Sequence, residues 1–353
     1  MLLLTRLPSR RLTLADYNRA YPSSPLDSDR ESGNRVYWVP VDDDDAGLDA
    51  ALAGVPVVVH AAGPFARTAR PMVEACLRTG THYLDVTAEI EVFERLHALD
   101  GRAREAGVML LPGVGFDVVP TDLVAAHLKA RLPGAVRLRL AFQALGGGVS
   151  RGTATTMVEN AGGGGVVRRD GRIVPVPAAW RTRTVDFGFG FRPVRVTTVP
   201  WGDVSTAYHS TGIPDIEVST RLGRAARWAL VASRLLGRLL ESGPLRRLAT
   251  AMVRAGAGGP DEEARRRGVS LIRGEVEDDA GRCAVTRMRT PEAYTLTAMT
   301  AVEAARRVLD GSARPGFQTP SLAFGPDWIL ELEGVAREDG EPADPPAATG
   351  GAA

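Results

Sequence analysis

The chain has 353 residues, of which 44% are hydrophobic and 24% charged, with a formal net charge of +1. That length exceeds one compact core and predicts two globular units, and the near-neutral balance excludes the basic footprint of a nucleic-acid binder. Cys76 and Cys283, the two cysteines, offer neither a disulfide framework nor metal spacing and fit a reducing cytoplasm; the opening MLLL is too brief for a leader, and no run approaches the ~20 apolar residues of a membrane span.

Residues 1–11 read as a strand ending near Thr5 and a polar turn, and residues 12–34 as a short helix and a loose loop rich in Pro, Ser and Asp. RVYWVPV predicts a strand running into four carboxylates, Asp42–Asp45. Negative charge suits the start of the following helix; for Asp42, a place beside a bound adenine stays open. GLDAALAG predicts a short helix closed by Gly54.

Three short apolar segments come next: Val55–Val59, HYLDV at 82–86, and Val108–Leu111. A helix over Pro71–Thr79 and another over Glu91–Ala106 separate them. Strands alternating with helices imply a parallel sheet, whose ligands lie beyond the carboxyl ends of the strands. The turns at those ends are the informative part of the chain. In AAGPF, the small Ala61, Ala62 and Gly63 let a flat ligand approach the backbone, and Pro64 fixes the exit. In PGVGFDVVPTD, Gly113 and Gly115 allow unusual backbone angles. Asp117 there either binds ligand or holds the turn through backbone hydrogen bonds, and Asp122 reads as the cap of the helix DLVAAHLKARL.

From Val136 the texture changes. VRLRLAF alternates as a half-buried strand, SRGTATTMVEN offers Ser150 or Thr153 as the cap of a helix whose start could hold an anion, and RIVPVP, RTRTVDFGFGFRPVRVTTV and VSTAYHSTG read as extended runs of an antiparallel sheet. Residues 221–256 predict an arginine-studded helical hairpin, read as ordinary packing with peripheral membrane contact or the cover of an acyl pocket as alternatives. LIRGEVEDD and CAVTRMRTP predict a hairpin about Asp279–Gly281. YTLTAMTAVEAARRVLDG is a last amphipathic helix, and the tail after Arg337 is disordered by composition.

Five segments taken together, AAGPF, YLDVTAE, GFDVVPTD, VPWGDVSTAYHSTGIPDIEV and RPGFQTPSLAFG, resemble those of saccharopine dehydrogenase-like oxidoreductases, in particular the bacterial branch called trans-acting enoyl reductase. The resemblance runs from about Val36 to Val335. It implies an α/β architecture: a Rossmann-type parallel-sheet domain over 1–135, N-terminally incomplete, an α+β substrate and dimerisation domain with a mainly antiparallel sheet over 136–337, and a tail over 338–353. It also implies cofactor contacts at Ala61, Ala62, Gly63, Pro64 and Phe65, at Val86 and Thr87, and at Gly115 and Phe116, with Asp117 near the nicotinamide. LLLTRLPSRRL is similar to the second strand and turn of such domains, which puts Arg6 on the 2′-phosphate of NADP, a group that a forked guanidinium grips bidentately. The chain departs from the pattern at Ala88-Glu89, where relatives have Gly-Glu. No strand with a GxxGxxG loop precedes Leu2, so the expectation is a true start further upstream.

The expected function is an oxidoreductase using NADP or NAD on a small or acyl-type substrate, the hydride chemistry belonging to the cofactor. Asp117 and Tyr83 are the catalytic candidates, with His82, Tyr208 and His209 as further proton donors by residue type; no residues are assigned to a metal. The alternatives are a non-catalytic Rossmann protein that has lost its phosphate loop, and a lipid-surface protein using 221–256. A homodimer and a cytoplasmic location complete the expectations.

Overall fold

The computed structural model describes residues 14–16, 38–40, 45–146, 164–223, 226–228, 230–231 and 262–340. Arg6, Asp42, the 150–153 helix start and most of the 221–256 hairpin lie outside them. Strand β1 (Leu14–Asp16) pairs in parallel with β2 (Trp38–Pro40). The first of these replaces the start of the helix expected after residue 12.

Helix α1 (Asp45–Leu52) buries Leu48 and Leu52, one turn apart, and Gly54 follows at φ 72°. Then β3 (Val57–His60), α2 (Phe65–Thr79), β4 (His82–Asp85), α3 (Ile90–His97), α4 (Asp100–Glu105), β5 (Met109–Leu111) and α5 (Val119–Arg131) follow in order. The apolar runs form strands where the sequence puts them, and all of β3 is buried, as expected of a parallel strand covered on both faces. Helix α2 starts earlier than expected, at Phe65, and carries Pro71 inside it. The single helix expected over Glu91–Ala106 is two, because the backbone leaves helical angles at Leu99 (φ −93°, ψ 4°). Asp100 opens the second piece and accepts a 2.8 Å hydrogen bond from Phe317 N.

Phe317 belongs to β14 (Gly316–Phe317), which pairs with β5 and completes an all-parallel sheet in the order β14-β5-β4-β3. A division placing 136–337 wholly in a second unit therefore misses this return of the chain. Its physical basis is small but specific: two residues of backbone pairing, anchored by the Asp100 carboxylate.

The second sheet runs β15-β13-β12-β6-β11-β10-β9, with β7 on β11 and β8 on β7. Its strands are β6 (Ala135–Leu145), β7 (Gly165–Arg169), β8 (Arg172–Val176), β9 (Thr182–Val185), β10 (Val194–Thr198), β11 (Asp215–Thr220), β12 (Val269–Asp278), β13 (Cys283–Pro291) and β15 (Ala336–Gly340). Among the described residues of this sheet, only β6 and β11 pair in parallel; the other pairings are antiparallel. Along β6, Leu138, Leu140 and Phe142 enter the main core, whereas Arg137 and Arg139 turn to the other face and pair with Glu277 and Glu275. Helix α5 lies directly on the core face. A Cβ on Gly274 would come within 2.5 Å of both Leu128 and Val124.

Three expectations fail in this half. VSTAYHSTG is not extended but forms α6 (Asp203–Thr211), capped by Gly212 at φ 68°. Two of its hydroxyls lie back along the helix, Ser210 Oγ near Thr206 O and Thr211 Oγ1 on Ala207 O, the local bonding that lets Ser and Thr sit inside a helix with their polar atoms partnered. The tail expected to be disordered from 338 is ordered over its first residues, since 336–340 form a strand against 285–289; residues 341–353 lie outside the described residues. Asp122 is no cap: it lies inside α5, wholly buried, and its carboxylate accepts from Ser210 Oγ and from Ser321 N, joining α6 and α9 (Pro320–Phe324). After the short helix α7 (Glu262–Arg267) and the β12–β13 hairpin, α8 (Ala293–Arg307) leads back to the first sheet.

Candidate functional site

The carboxyl ends of β3, β4 and β5 bring three turns together. The first holds Ala61, Ala62, Gly63, Pro64 and Phe65. Ala61, Gly63 and Pro64 are half-buried, and the atoms nearest a Cβ added to Gly63 would be those of Phe65, its ring at 3.4 Å, an ordinary contact distance. The Gly63–Pro64 peptide is cis, and the Thr68 hydroxyl donates to Ala62 O at 2.6 Å. The second turn holds half-buried Val86 and buried Thr87. The third holds Gly115, Phe116 and Asp117. Gly113 there needs its glycine: φ is 76°, and a Cβ would lie 2.9 Å from Val118. From the far end of the chain, α8 clamps this turn. Thr297 Oγ1 accepts from Phe116 N at 3.0 Å and Thr300 Oγ1 donates to Val114 O at 2.7 Å.

Beneath the turns lies a buried network that the sequence reading missed in two of its three members. Tyr83 OH donates to Asp85 Oδ2 at 2.8 Å and lies 3.1 Å from His60 Nδ1. With the phenol proton committed to Asp85, His60 Nδ1 carries the proton of that contact. The other oxygen, Asp85 Oδ1, accepts from Thr87 N at 3.0 Å and from Gly113 N at 2.8 Å. Burial drives every member toward neutrality: it pushes the Asp85 carboxyl up to about 6, the His60 imidazolium down to about 3 and the Tyr83 phenol well above its usual range. Tyr83 is fully buried and faces inward. Its phenol therefore cannot meet a substrate, which corrects its assignment as a catalytic acid. Part of the signal was legible: Tyr83 and Asp85 are two apart in one strand, hence on one face. That His60 stands in register with Asp85 is known from the strand pairing alone.

Asp117 keeps its place on the third turn. Burial lifts its carboxyl to about 6, and its backbone carbonyl accepts from Trp201 Nε1 at 2.7 Å. Trp201 stacks at a tilt on Phe142, ring centroids 4.6 Å apart, and Phe142 meets Phe116 edge-on at 6.0 Å. An aromatic wall thus runs from the third turn into the second sheet. Behind it Asp203 is wholly buried, with the Thr121 hydroxyl as its favourable neighbour and Asp122 and Asp117 raising its carboxyl pKa beyond what burial does.

Glu89, after the second turn, accepts from Phe65 N and Ala66 N, both at 2.8 Å, with one oxygen each. It caps α2 from outside that helix. The positive end of α2 is thereby filled by the protein's own carboxylate. Ala88 has no positive φ, so the backbone at this position does not call for glycine.

The remaining proton-donor candidates lie elsewhere. His82 Nδ1 accepts from Met109 N at 3.1 Å, a strand-to-strand link. His209 stacks on His97 at 4.0 Å and Tyr208 lies under Arg168 at 4.1 Å. Among the described residues no group of three or more His, Cys, Asp or Glu side chains could hold a metal ion, and no helix is long and apolar enough to cross a membrane.

Comparison with known proteins agrees with the motifs. The family model described as the saccharopine dehydrogenase NADP binding domain matches residues 3–111, and over that stretch the family resemblance stands. A Mycobacterium tuberculosis protein provisionally named a trans-acting enoyl reductase is 36% identical over 119 residues, 32% of this chain and 28% of that one. A saccharopine dehydrogenase-like oxidoreductase of Mus musculus is 31% identical over 90 residues, 25% of this chain and 21% of that one. The chain thus spans less than a third of the length of these relatives. Among solved structures, apo saccharopine dehydrogenase (L-Glu forming) from Saccharomyces cerevisiae superposes with a TM-score of 0.61 at 14% identity, over 93% of this chain and 94% of that one. That likeness is one of fold, an α/β architecture with a Rossmann-like parallel sheet.

Proposed function

We propose that this chain, with its saccharopine dehydrogenase-type NADP-binding domain, is an oxidoreductase that holds NADP or NAD across the carboxyl ends of β3, β4 and β5 and passes hydride to or from a small or acyl-type substrate. The observation that carries this reading is the convergence of three small-residue turns on one side of an all-parallel sheet, the side at which such sheets take their ligands. Two features of the turns support a dinucleotide there. Gly63 leaves room for a flat ring system against the backbone, and Gly115 and Phe116 are held in place by Thr297.

When bound, the nicotinamide ring would supply the hydride chemistry. The chain's own residues position it and shape the substrate side. Ala61, Ala62, Gly63, Pro64 and Phe65 form one lip, Val86 the floor with Thr87 buried beneath it, and Gly115 and Phe116 the lip nearest the second sheet. Because Glu89 fills the start of α2, the pyrophosphate lies away from that helix end. The wall of Phe116, Phe142 and Trp201 suits an apolar acyl group, and Asp117, lifted by burial to about 6, is the group we place as proton carrier, poised near the working pH.

Titration of the chain with NADPH and NADH, read by energy transfer from tryptophan to the reduced nicotinamide, tests the reading. Trp201 abuts the third turn through Asp117, so saturable transfer is expected. Absence of saturable transfer with either nucleotide overturns the proposal.

A further inference from the structure

The three turns are separate in sequence, yet one buried side-chain network touches all of them. Asp85 Oδ1 accepts the backbone N–H of Thr87 in the second turn and of Gly113 in the third. Asp85 Oδ2 takes the phenol proton of Tyr83, and Tyr83 in turn holds His60, the residue from which the first turn departs. The His60 ring also meets Phe65 of that turn edge-on, centroids 5.3 Å apart. Asp85, Tyr83 and His60 are all essentially inaccessible, so none of them contacts a ligand. A carboxylate buried this way is costly unless its hydrogen bonds are made, and here three donors from two chain segments, residues 83–87 and Gly113, satisfy it, with His60 joined through Tyr83.

We propose that Asp85, with Tyr83 and His60, is the positioning device of the site: it sets the mutual spacing of the three turns and thereby the affinity for the dinucleotide, without touching it. The inference rests on the cofactor reading above and adds to it which residues fix the geometry.

The conservative variant separates geometry from charge. In Asp85→Asn the amide oxygen still accepts from Thr87 N and Gly113 N, the amide nitrogen donates to the Tyr83 oxygen, and the phenol proton passes to His60 Nδ1 in its other tautomer. Asp85→Ala has no such recourse and leaves two backbone N–H groups without their acceptor.

The test measures NADPH dissociation constants for the wild type, Asp85→Asn and Asp85→Ala, together with amide hydrogen exchange at Thr87 and Gly113 in the ligand-free proteins. The expected result is near-wild-type affinity for Asp85→Asn, at least about a tenfold loss for Asp85→Ala, equal to ~1.4 kcal/mol, and faster exchange at those two amides in Asp85→Ala alone. Should Asp85→Ala melt earlier but bind NADPH as the wild type does, Asp85 is merely structural and the proposal falls. Equal loss in both variants overturns it too, since the acceptor geometry would then not be what matters. If the wild type itself fails to bind, the cofactor reading fails. The exchange data still decide the device: unchanged rates at Thr87 and Gly113 in Asp85→Ala overturn it, and selectively faster rates uphold it as a clamp on the turns.

Discussion

At the scale of single residues, His60 shows how a buried neutral group makes stability depend on pH. Its imidazolium is pushed from the ordinary 6.5 down to about 3 by burial. The unfolded chain therefore binds a proton below about 6.5 that the folded one refuses, so the contribution of His60 is whole above that pH and is lost as pH falls toward about 3. Asp85 opposes it over part of the range: its folded value near 6 lies above the ordinary 3.8, so its ionisation costs stability as pH rises through 6. Comparing the wild type with His60→Gln isolates the histidine. Urea unfolding at pH 7 and pH 4 should show the wild type losing on the order of 3 kcal/mol relative to the variant, from ~2.5 pKa units at 1.36 kcal/mol each. A difference that does not move with pH contradicts the buried neutral histidine.

The residues that sequence reading found and those it missed differ in kind. Glycines and alanines at strand ends announce a ligand by being small, and Ala61, Ala62, Gly63 and Gly115 all come to the carboxyl side of the sheet. Asp85 and His60 sit inside apolar strands, where HYLDV and VVVH read as hydrophobic runs. Only pairing across β3 and β4 reveals that both side chains meet the Tyr83 hydroxyl.

At the scale of elements, α2 illustrates a cap supplied from a distance. Its N-terminal residue Pro64 offers no side-chain hydrogen bond, and Glu89, 23 and 24 residues on, satisfies two of the orphan N–H groups instead. Glu89→Ala should destabilise the chain by about 1–2 kcal/mol in denaturant unfolding, with Glu89→Gln losing less because one amide oxygen still accepts. An unchanged midpoint for Glu89→Ala contradicts the capping role. Such a cap cannot be read from local sequence, which searches for Ser, Thr, Asp or Asn just ahead of the helix. The same blindness misplaced α6. Alternating Val, Thr and Ala in VSTAYHSTG satisfy a strand pattern, but Val204, Ala207 and Thr211 also recur at helical spacing; all three are buried, together with Asp203, Ser205 and Thr206 around the first turn.

At the scale of the whole molecule, sequence pattern revealed the two kinds of sheet but not how the chain weaves between them. Helix α8 and β14 come from beyond residue 290 and return to the first sheet. A two-residue strand such as Gly316–Phe317 leaves no periodicity to detect. Contact between the two halves also rests on a charged knot. Arg168 of β7, its side chain 5% exposed, pairs with Glu94 of α3 at 3.0 Å and donates to Val204 O and Gly171 O, while Ser205 Oγ of α6 donates to the same Glu94 oxygen at 2.6 Å. The His209 contact above all, then the Ser205 hydroxyl and the charge of Arg168, hold the Glu94 carboxyl down to about 2 against its burial. These side chains serve architecture, and they leave the ligand side of the sheet to the three turns.

The central claim is that a nicotinamide dinucleotide lies on those turns. The measurement that tests it most directly is amide hydrogen exchange of the whole chain with and without saturating NADPH. The account predicts protection concentrated in residues 61–66, 86–89 and 113–117. Protection confined to other segments, with these three turns exchanging as before, contradicts it.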